Sequence, residues 1–211
     1  MDIIFPVCSR CTGLYVGFLA SIIILIVVER KIRSGLPHRN TTIALIASFG
    51  LMSAESVLSF FGLVPASNIL RFITGYITGW LVAPMIAGLM AAVAIKNADA
   101  SGKVYPSGCI KAALWLVGAL PLAVLFYFTY KMAIIAWGIL SIAGLLLFVS
   151  ALVFIMIFAL VKKLSNSLSS AGRFFLFLAI SVAVSTAAIS ISSALKTLTG
   201  PYIQFLVLKL Q

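Results

Sequence analysis

The sequence predicts an all-α, polytopic integral membrane protein of about six transmembrane helices. Three observations carry that prediction: a shortage of charge, a high mean hydropathy, and apolar runs of span length divided by short polar or basic connections. Of 211 residues, 63% are hydrophobic and 9% charged, and the mean hydropathy is +1.23. A soluble domain keeps roughly a quarter of its residues charged because its surface meets water. With that charge missing, lipid has to meet much of the surface. The length then divides into spans of ~20 residues with short connections.

The first apolar run covers Leu14 to Val28 and closes on Glu29-Arg30-Lys31-Ile32-Arg33. A cleaved signal peptide has its basic segment before the apolar stretch. Here the charge follows it, which fits an anchored helix with its C-terminal end in the cytoplasm. The second run, Thr42 to Leu63, turns through Pro65 into the third, Leu70 to Ile95, which contains Pro84. Lys96 to Gly108 is a polar loop holding the turn-formers Asn97, Asp99, Gly102 and Pro106. The fourth run, Ile110 to Tyr130, has Pro121 near its middle. After Lys131 the fifth run, Met132 to Val161, exceeds what a bilayer requires, so tilt or a cytoplasmic extension is expected. Lys162-Lys163 and a Ser-rich loop lead to the sixth, Phe174 to Leu195. The tail, Thr197 to Gln211, is apolar, interrupted by Pro201 and too short to span, and is expected at the interface. The chain reads as one transmembrane domain, 1–211, with the informative motifs in 1–95 and further membrane helices and the tail in 96–211.

Orientation follows from the distribution of Lys and Arg. Placing the 29–41, 96–111 and 162–173 connections inside assigns them Arg30, Lys31, Arg33, Arg39, Lys96, Lys103, Lys111, Lys162, Lys163 and Arg173. The other side keeps Arg10, Arg71, Lys131, Lys196 and Lys209, so ten basic residues oppose five. Both termini are therefore expected to be extracytoplasmic, in the cell membrane. The net charge of +11 sits in short clusters between apolar runs. Its partner is then the anionic leaflet facing the cytoplasmic loops, and nucleic acid is not indicated.

The densest local signal is Phe5-Pro6-Val7-Cys8-Ser9-Arg10-Cys11-Thr12-Gly13, directly before the first span. A Cys-x-x-Cys pair can close a disulfide or chelate a soft metal, and Arg10 between the thiols would favour thiolate. Disulfides persist outside the cytoplasm, where this segment is expected. One pair supplies half of a tetrahedral zinc site, so Cys8 and Cys11 are the metal candidates but not a full set. A structural role, as small and moderately apolar residues at a helix start, stands beside both. Three cysteines leave at least one thiol unpaired. No cofactor is named by the sequence.

Glu55 is the one acidic residue inside a predicted span. An ionised carboxylate at membrane depth costs ~2.5–3.5 kcal/mol on insertion scales, so it faces protein and finds a partner. Helical spacing sets Ser48, Met52, Glu55 and Ser59 on one stripe of the second span. Glu55 lies roughly 10 Å from the outer end of that span at 1.5 Å per residue. Arg71 begins the third span at the same end, across the Pro65 turn, where it can reach the carboxylate, and Asn68 can cap the helix that Arg71 enters. The cluster is either a buried ion pair that fixes helix packing or a proton or cation site.

Packing comes from a repeat. Thr12-Gly13-Leu14-Tyr15-Val16-Gly17-Phe18-Leu19 is similar to Thr74-Gly75-Tyr76-Ile77-Thr78-Gly79-Trp80-Leu81. Both read Thr-Gly-x-x-x-Gly-aromatic-Leu, both open a span from the outside, and each has an Arg just upstream. Glycines four apart let helices approach closely, so the first and third spans are expected to pack through these faces. Cys8, Arg10, Cys11, Glu55, Asn68 and Arg71 would then gather at one outer pocket. Cys109, at the opposite side, and His38, in a basic loop, read as structural or solvated.

The stretch from Phe5 to Gly17 resembles the signature of the domain-of-unknown-function 2085 family of predicted membrane proteins. Ser67-Asn68-Ile69-Leu70-Arg71-Phe72-Ile73-Thr74-Gly75 resembles that family's second recurring motif, and an acidic residue in the second span, here Glu55, fits the same pattern. The resemblance covers about the first eighty residues. It implies a membrane protein and no particular activity. Members also carry a Cys-His pair upstream of the Cys-x-x-Cys, which this chain, beginning Met1-Asp2, lacks. That departure favours a dithiol over a zinc or iron site. No Walker loop, Gly-x-Ser-x-Gly elbow, His-Glu-x-x-His or c-type haem motif is present. Two classes of function remain: a thiol-disulfide oxidoreductase using Cys8, Cys11 and Arg10, and a small transporter or ion-binding protein using Glu55 and Arg71. A purely structural membrane protein is the third reading.

Overall fold

A computed structural model of the chain describes residues 8–29, 37–63, 67–94, 106, 108–129, 132–160, 176–187 and 190. All regular structure among them is helical: α1 Ser9–Glu29, α2 Arg39–Phe60, α3 Asn68–Ala94, α4 Cys109–Val117, α5 Ala119–Thr129, α6 Ile134–Leu160 and α7 Leu176–Ala187. Five segments are long and apolar enough to cross a membrane, namely α1, α2, α3, α6 and the pair α4–α5 taken as Cys109–Thr129. Large apolar side chains such as Ile26, Phe60, Phe128 and Ile135 stay exposed on the outside of the bundle, as lipid-facing residues do. The protein is a polytopic helical membrane protein. The sixth expected run is described only over α7 and residue 190. The basic segment 30–36, the Pro65 turn, most of the 95–107 loop, the 161–175 loop and the tail lie outside the described residues.

The helices begin and end close to the apolar runs, with two informative differences. First, α1 starts at Ser9, well before Leu14, and runs through Glu29, so Cys11 and Glu29 belong to the helix. Second, the fourth run is two helices broken at Gly118, which keeps near-helical angles of φ −61° and ψ −17°. Pro121 lies three residues further on. It has no N–H to give the Val117 carbonyl, and its ring crowds that carbonyl, so the break falls one turn before it.

α3 answers the same problem differently. Pro84 sits inside an unbroken helix, leaving the Trp80 carbonyl without its helical donor. Ser21 of α1 supplies one: its Oγ donates to the Trp80 oxygen at 2.9 Å. Trp115 of α4 completes the relay by donating Nε1–H to Ser21 Oγ at 2.9 Å. Ser21 and Trp115 are fully buried. In the absence of water, each unmet polar group would be costly, and this three-helix relay meets them in sequence.

α1 packs most extensively on α3, and the repeated glycines explain how. A methyl on Gly13 would overlap the Phe72 carbonyl, and one on Gly17 the Tyr76 carbonyl. Reciprocally, a methyl on Gly75 would overlap the Arg10 carbonyl, and one on Gly79 the Leu14 carbonyl. Each motif therefore receives the other's backbone at the matching position, which makes the two helices parallel and locally two-fold related. Gly144 gives α6 the same close approach to the Tyr15 carbonyl on another side of α1. Val16, Phe18, Phe72, Tyr76 and Trp80 form the core around this crossing.

Candidate functional site at the Cys8 end

Because α1 and α3 run parallel, their first turns lie together, and the last turns of α2 return to the same end. Cys8 precedes α1 and acts as its cap. Its carbonyl accepts the Thr12 N–H at 2.9 Å, and its Sγ accepts the Cys11 N–H at 3.3 Å. The sulfur thus takes the place that a Ser or Asp oxygen commonly holds at a helix start. The two sulfurs are 2.6 Å apart, and both residues are free thiols. Cys8 is exposed and Cys11 half-buried.

The α2 stripe is the expected one. Ser48 and Glu55 are buried, Met52 and Ser59 half-buried, and Leu45 extends the same face. Glu55 is only 7% exposed and takes three partners. Arg10 Nη2 donates to its Oε2, Ser59 Oγ donates to Oε1 at 3.3 Å, and Arg71 Nε stands 3.7 Å from Oε1, an ion pair too long for a hydrogen bond. The meeting of Glu55 with Arg71 across the helix turn follows the sequence expectation. The tighter partner, however, is Arg10, which the sequence reading paired with the thiols. Two guanidiniums on one carboxylate leave the cluster one positive charge in excess among the described residues. Arg10 and Arg71 keep 24% and 35% of their side chains exposed, while the Nε of each is buried without a hydrogen-bond acceptor.

Asn68 is placed differently from its expected role. It is the first residue of α3 and exposed, and the cap is Ser67, whose Oγ accepts the Leu70 N–H at 3.5 Å while its carbonyl accepts the Arg71 N–H at 3.1 Å. The reason is register: the Arg71 N–H already bonds the Ser67 carbonyl, so the helix begins at Asn68 and the capping position before it falls to Ser67. His38 caps α2 through Nδ1, which accepts the Asn40 N–H at 3.2 Å. Cys109 is the exposed first residue of α4.

At the opposite end lies a polar pair that the sequence reading missed. Glu29 is buried at the end of α1, and Lys111 Nζ donates to its Oε2 at 3.4 Å. Read as part of a basic segment, Glu29 gave no sign of burial; only the longer extent of α1 reveals it. Among the described residues, no three His, Cys, Asp or Glu side chains gather in a way that could hold a metal ion.

These features define the class: a polytopic helical membrane protein whose first three spans collect a dithiol and a shared-carboxylate ion cluster at one end. Residues 1–85 match the family model described as predicted membrane protein (DUF2085), a region that takes in Cys8, Arg10, Cys11, Glu55 and Arg71. A relative, an uncharacterized protein of Methanocaldococcus jannaschii, is 36% identical over 77 residues, which are 36% of this chain and 47% of the relative. The chain thus spans about half the length of that curated relative. No solved structure matches the chain.

Proposed function

We propose that the protein is a membrane-anchored thiol-disulfide exchanger, with Cys8 as the attacking sulfur and Cys11 as the resolving one. One observation carries this reading: an exposed cysteine caps a helix, with the second sulfur of the pair directly beside it. The first turn of a helix carries positive partial charge, which suits a sulfur that attacks as thiolate. Cys8 attacks one sulfur of a substrate disulfide, that bond breaks, and the departing sulfur leaves as a thiol on taking a proton. Cys11 then attacks the Cys8 sulfur of the mixed disulfide and releases the second substrate thiol. One substrate disulfide is reduced as the two protein thiols are oxidised, and the reverse reaction follows the same path. The excess of Lys and Arg on the other connections supports a reading in which this end faces out of the cytoplasm across the cell membrane, with anionic lipid at the basic loops.

The test is intact-mass analysis of the purified chain treated with cystamine, a small disulfide. Beyond one adduct at the exposed Cys109, the wild type is expected to lose two mass units through a Cys8–Cys11 bond. Cys11→Ser is expected to retain a stable adduct at Cys8. A wild type that holds an adduct on Cys8 without ever forming the internal bond would refute the exchange reading.

A second reading, an ion-binding or transport site at Glu55 and Arg71, is favoured by the buried carboxylate shared between two arginines. Ion uptake into proteoliposomes that is unchanged in Glu55→Gln would exclude Glu55 as its essential group.

A further inference from the structure

The ion cluster combines a nearly buried carboxylate, two guanidiniums and an uncompensated positive charge among the described residues. Arg10 is the second residue of α1 and Arg71 the fourth of α3, so both guanidiniums spring from the first turns of parallel helices. Both helix N-termini therefore add positive partial charge at the same end. Glu55 neutralises one guanidinium, and its carboxylate is already occupied by Arg10 and Ser59. The two Nε donors remain without acceptors although buried, while the rest of each guanidinium is partly open. An incoming oxyanion would meet the partly open terminal N–H groups of both guanidiniums. A cation would meet the excess positive charge and two helix N-termini, whereas an anion would meet complementary charge and planar donor forks. The cluster lies within the first or last two turns of its helices.

We propose that Arg10 and Arg71, held apart and oriented by Glu55, form a binding site for one singly charged phosphate oxyanion, whether free phosphate or the phosphodiester of a lipid headgroup. The proposal names the ion class for the ion-binding reading of this cluster and does not depend on the thiols. Glu55 is a positioning residue here. It fixes the two forks and keeps the site from attracting more than one negative charge.

The experiment uses the full chain in a neutral detergent and reads the thermal unfolding midpoint against inorganic phosphate, with chloride replacing it at constant ionic strength. A parallel arm recovers the protein from nanodiscs containing phosphatidylglycerol and counts retained phospholipid by native mass spectrometry. Arg71→Gln is expected to weaken binding roughly ten-fold in either arm, the loss of one charge-assisted fork. Glu55→Gln is expected to act in the opposite direction and tighten binding, since the amide oxygen still accepts from Arg10 and orients it while the competing negative charge is gone. A purely structural ion pair would not produce opposite signs in these two variants. A response to inorganic phosphate that Arg71→Gln weakens establishes the free ion as ligand, and lipid retention that Arg71→Gln weakens, without that response, establishes the headgroup; a response that Arg71→Gln leaves unchanged is general salt stabilisation or lipid at the basic loops and overturns the site. A midpoint that follows sodium against choline, but not phosphate, would overturn the oxyanion assignment while leaving an ion site. Indifference to all of these, in a wild type that unfolds cooperatively, would overturn both.

Discussion

Replacing Gly79 with alanine tests the α1–α3 crossing at its tightest point. The added methyl would overlap the Leu14 carbonyl oxygen and stand 2.8 Å from its carbon and 2.9 Å from its Cα. All three are backbone atoms, so no rotamer change relieves them. The carbon contact must open from 2.8 Å to at least the 3.4 Å at which ordinary contact begins, the oxygen contact by more, and α1 and α3 must part to allow it. Overpacking of this kind costs ~1–3 kcal/mol, and a gap of that order also forfeits a quarter to a half of the dispersion energy of the facing atoms. Against this, alanine gains up to ~1 kcal/mol over glycine in helix propensity. Because the clash is with backbone, the net loss should be about 1–2 kcal/mol. Gly50 of α2 provides the control, since a methyl there meets nothing within 4 Å. Gly50→Ala should be neutral or stabilising by up to ~1 kcal/mol. The assay is reversible unfolding of both variants in mixed micelles of maltoside and dodecyl sulfate. Equal midpoints for Gly79→Ala and Gly50→Ala would refute the claim that close backbone approach at the motif holds these spans together.

Two further predictions concern polar groups within the bundle. Ser21→Ala should destabilise the protein by about 1–2 kcal/mol, near the upper end for polar contacts between membrane helices, because it strips both the Trp80 carbonyl and the Trp115 indole of a partner. In a Pro84→Ala background the regained helical N–H serves the Trp80 carbonyl, so the cost of Ser21→Ala should shrink; an unchanged cost in that double-mutant cycle would contradict the relay. At the other end, Lys111→Met should destabilise by ~1–3 kcal/mol by weakening the neutralisation of buried Glu29. Adding Glu29→Gln should recover part of that loss in the same unfolding assay, and strict additivity of the two changes would show that the pair is not coupled.

The helices were legible in the sequence because lipid imposes a strong one-dimensional signal: apolar runs of span length, closed by charge or proline. The α1–α3 contact was legible for a rarer reason, since two copies of one small-residue motif predict a reciprocal face. Features that depend on the third dimension were not. Arg10 looks in sequence like the neighbour of two thiols, yet a helix turn points it to α2, 45 residues from its partner. Ser21 carries no motif, and its role appears only when Pro84 frees a carbonyl on another helix. Glu29 reads as solvated until α1 is seen to continue through it.

The same crossing accounts for the chemistry gathered at the Cys8 end. Without side chains at Gly13, Gly17, Gly75 and Gly79, α1 and α3 come close enough to bring their first turns together. Only then can residues 10 and 71 share a carboxylate offered by α2. The glycines therefore act on the ion cluster without touching it. A variant that parts the helices, such as Gly79→Ala, should loosen the Arg71–Glu55 pair, which stands at 3.7 Å and has no hydrogen bond to hold it. Phosphate affinity should fall in that variant because Arg10 and Arg71 part with their helices, so that one oxyanion no longer reaches both guanidiniums. The proposed Cys8–Cys11 exchange should persist, because Cys8 caps the turn of α1 that holds Cys11 and needs no second helix.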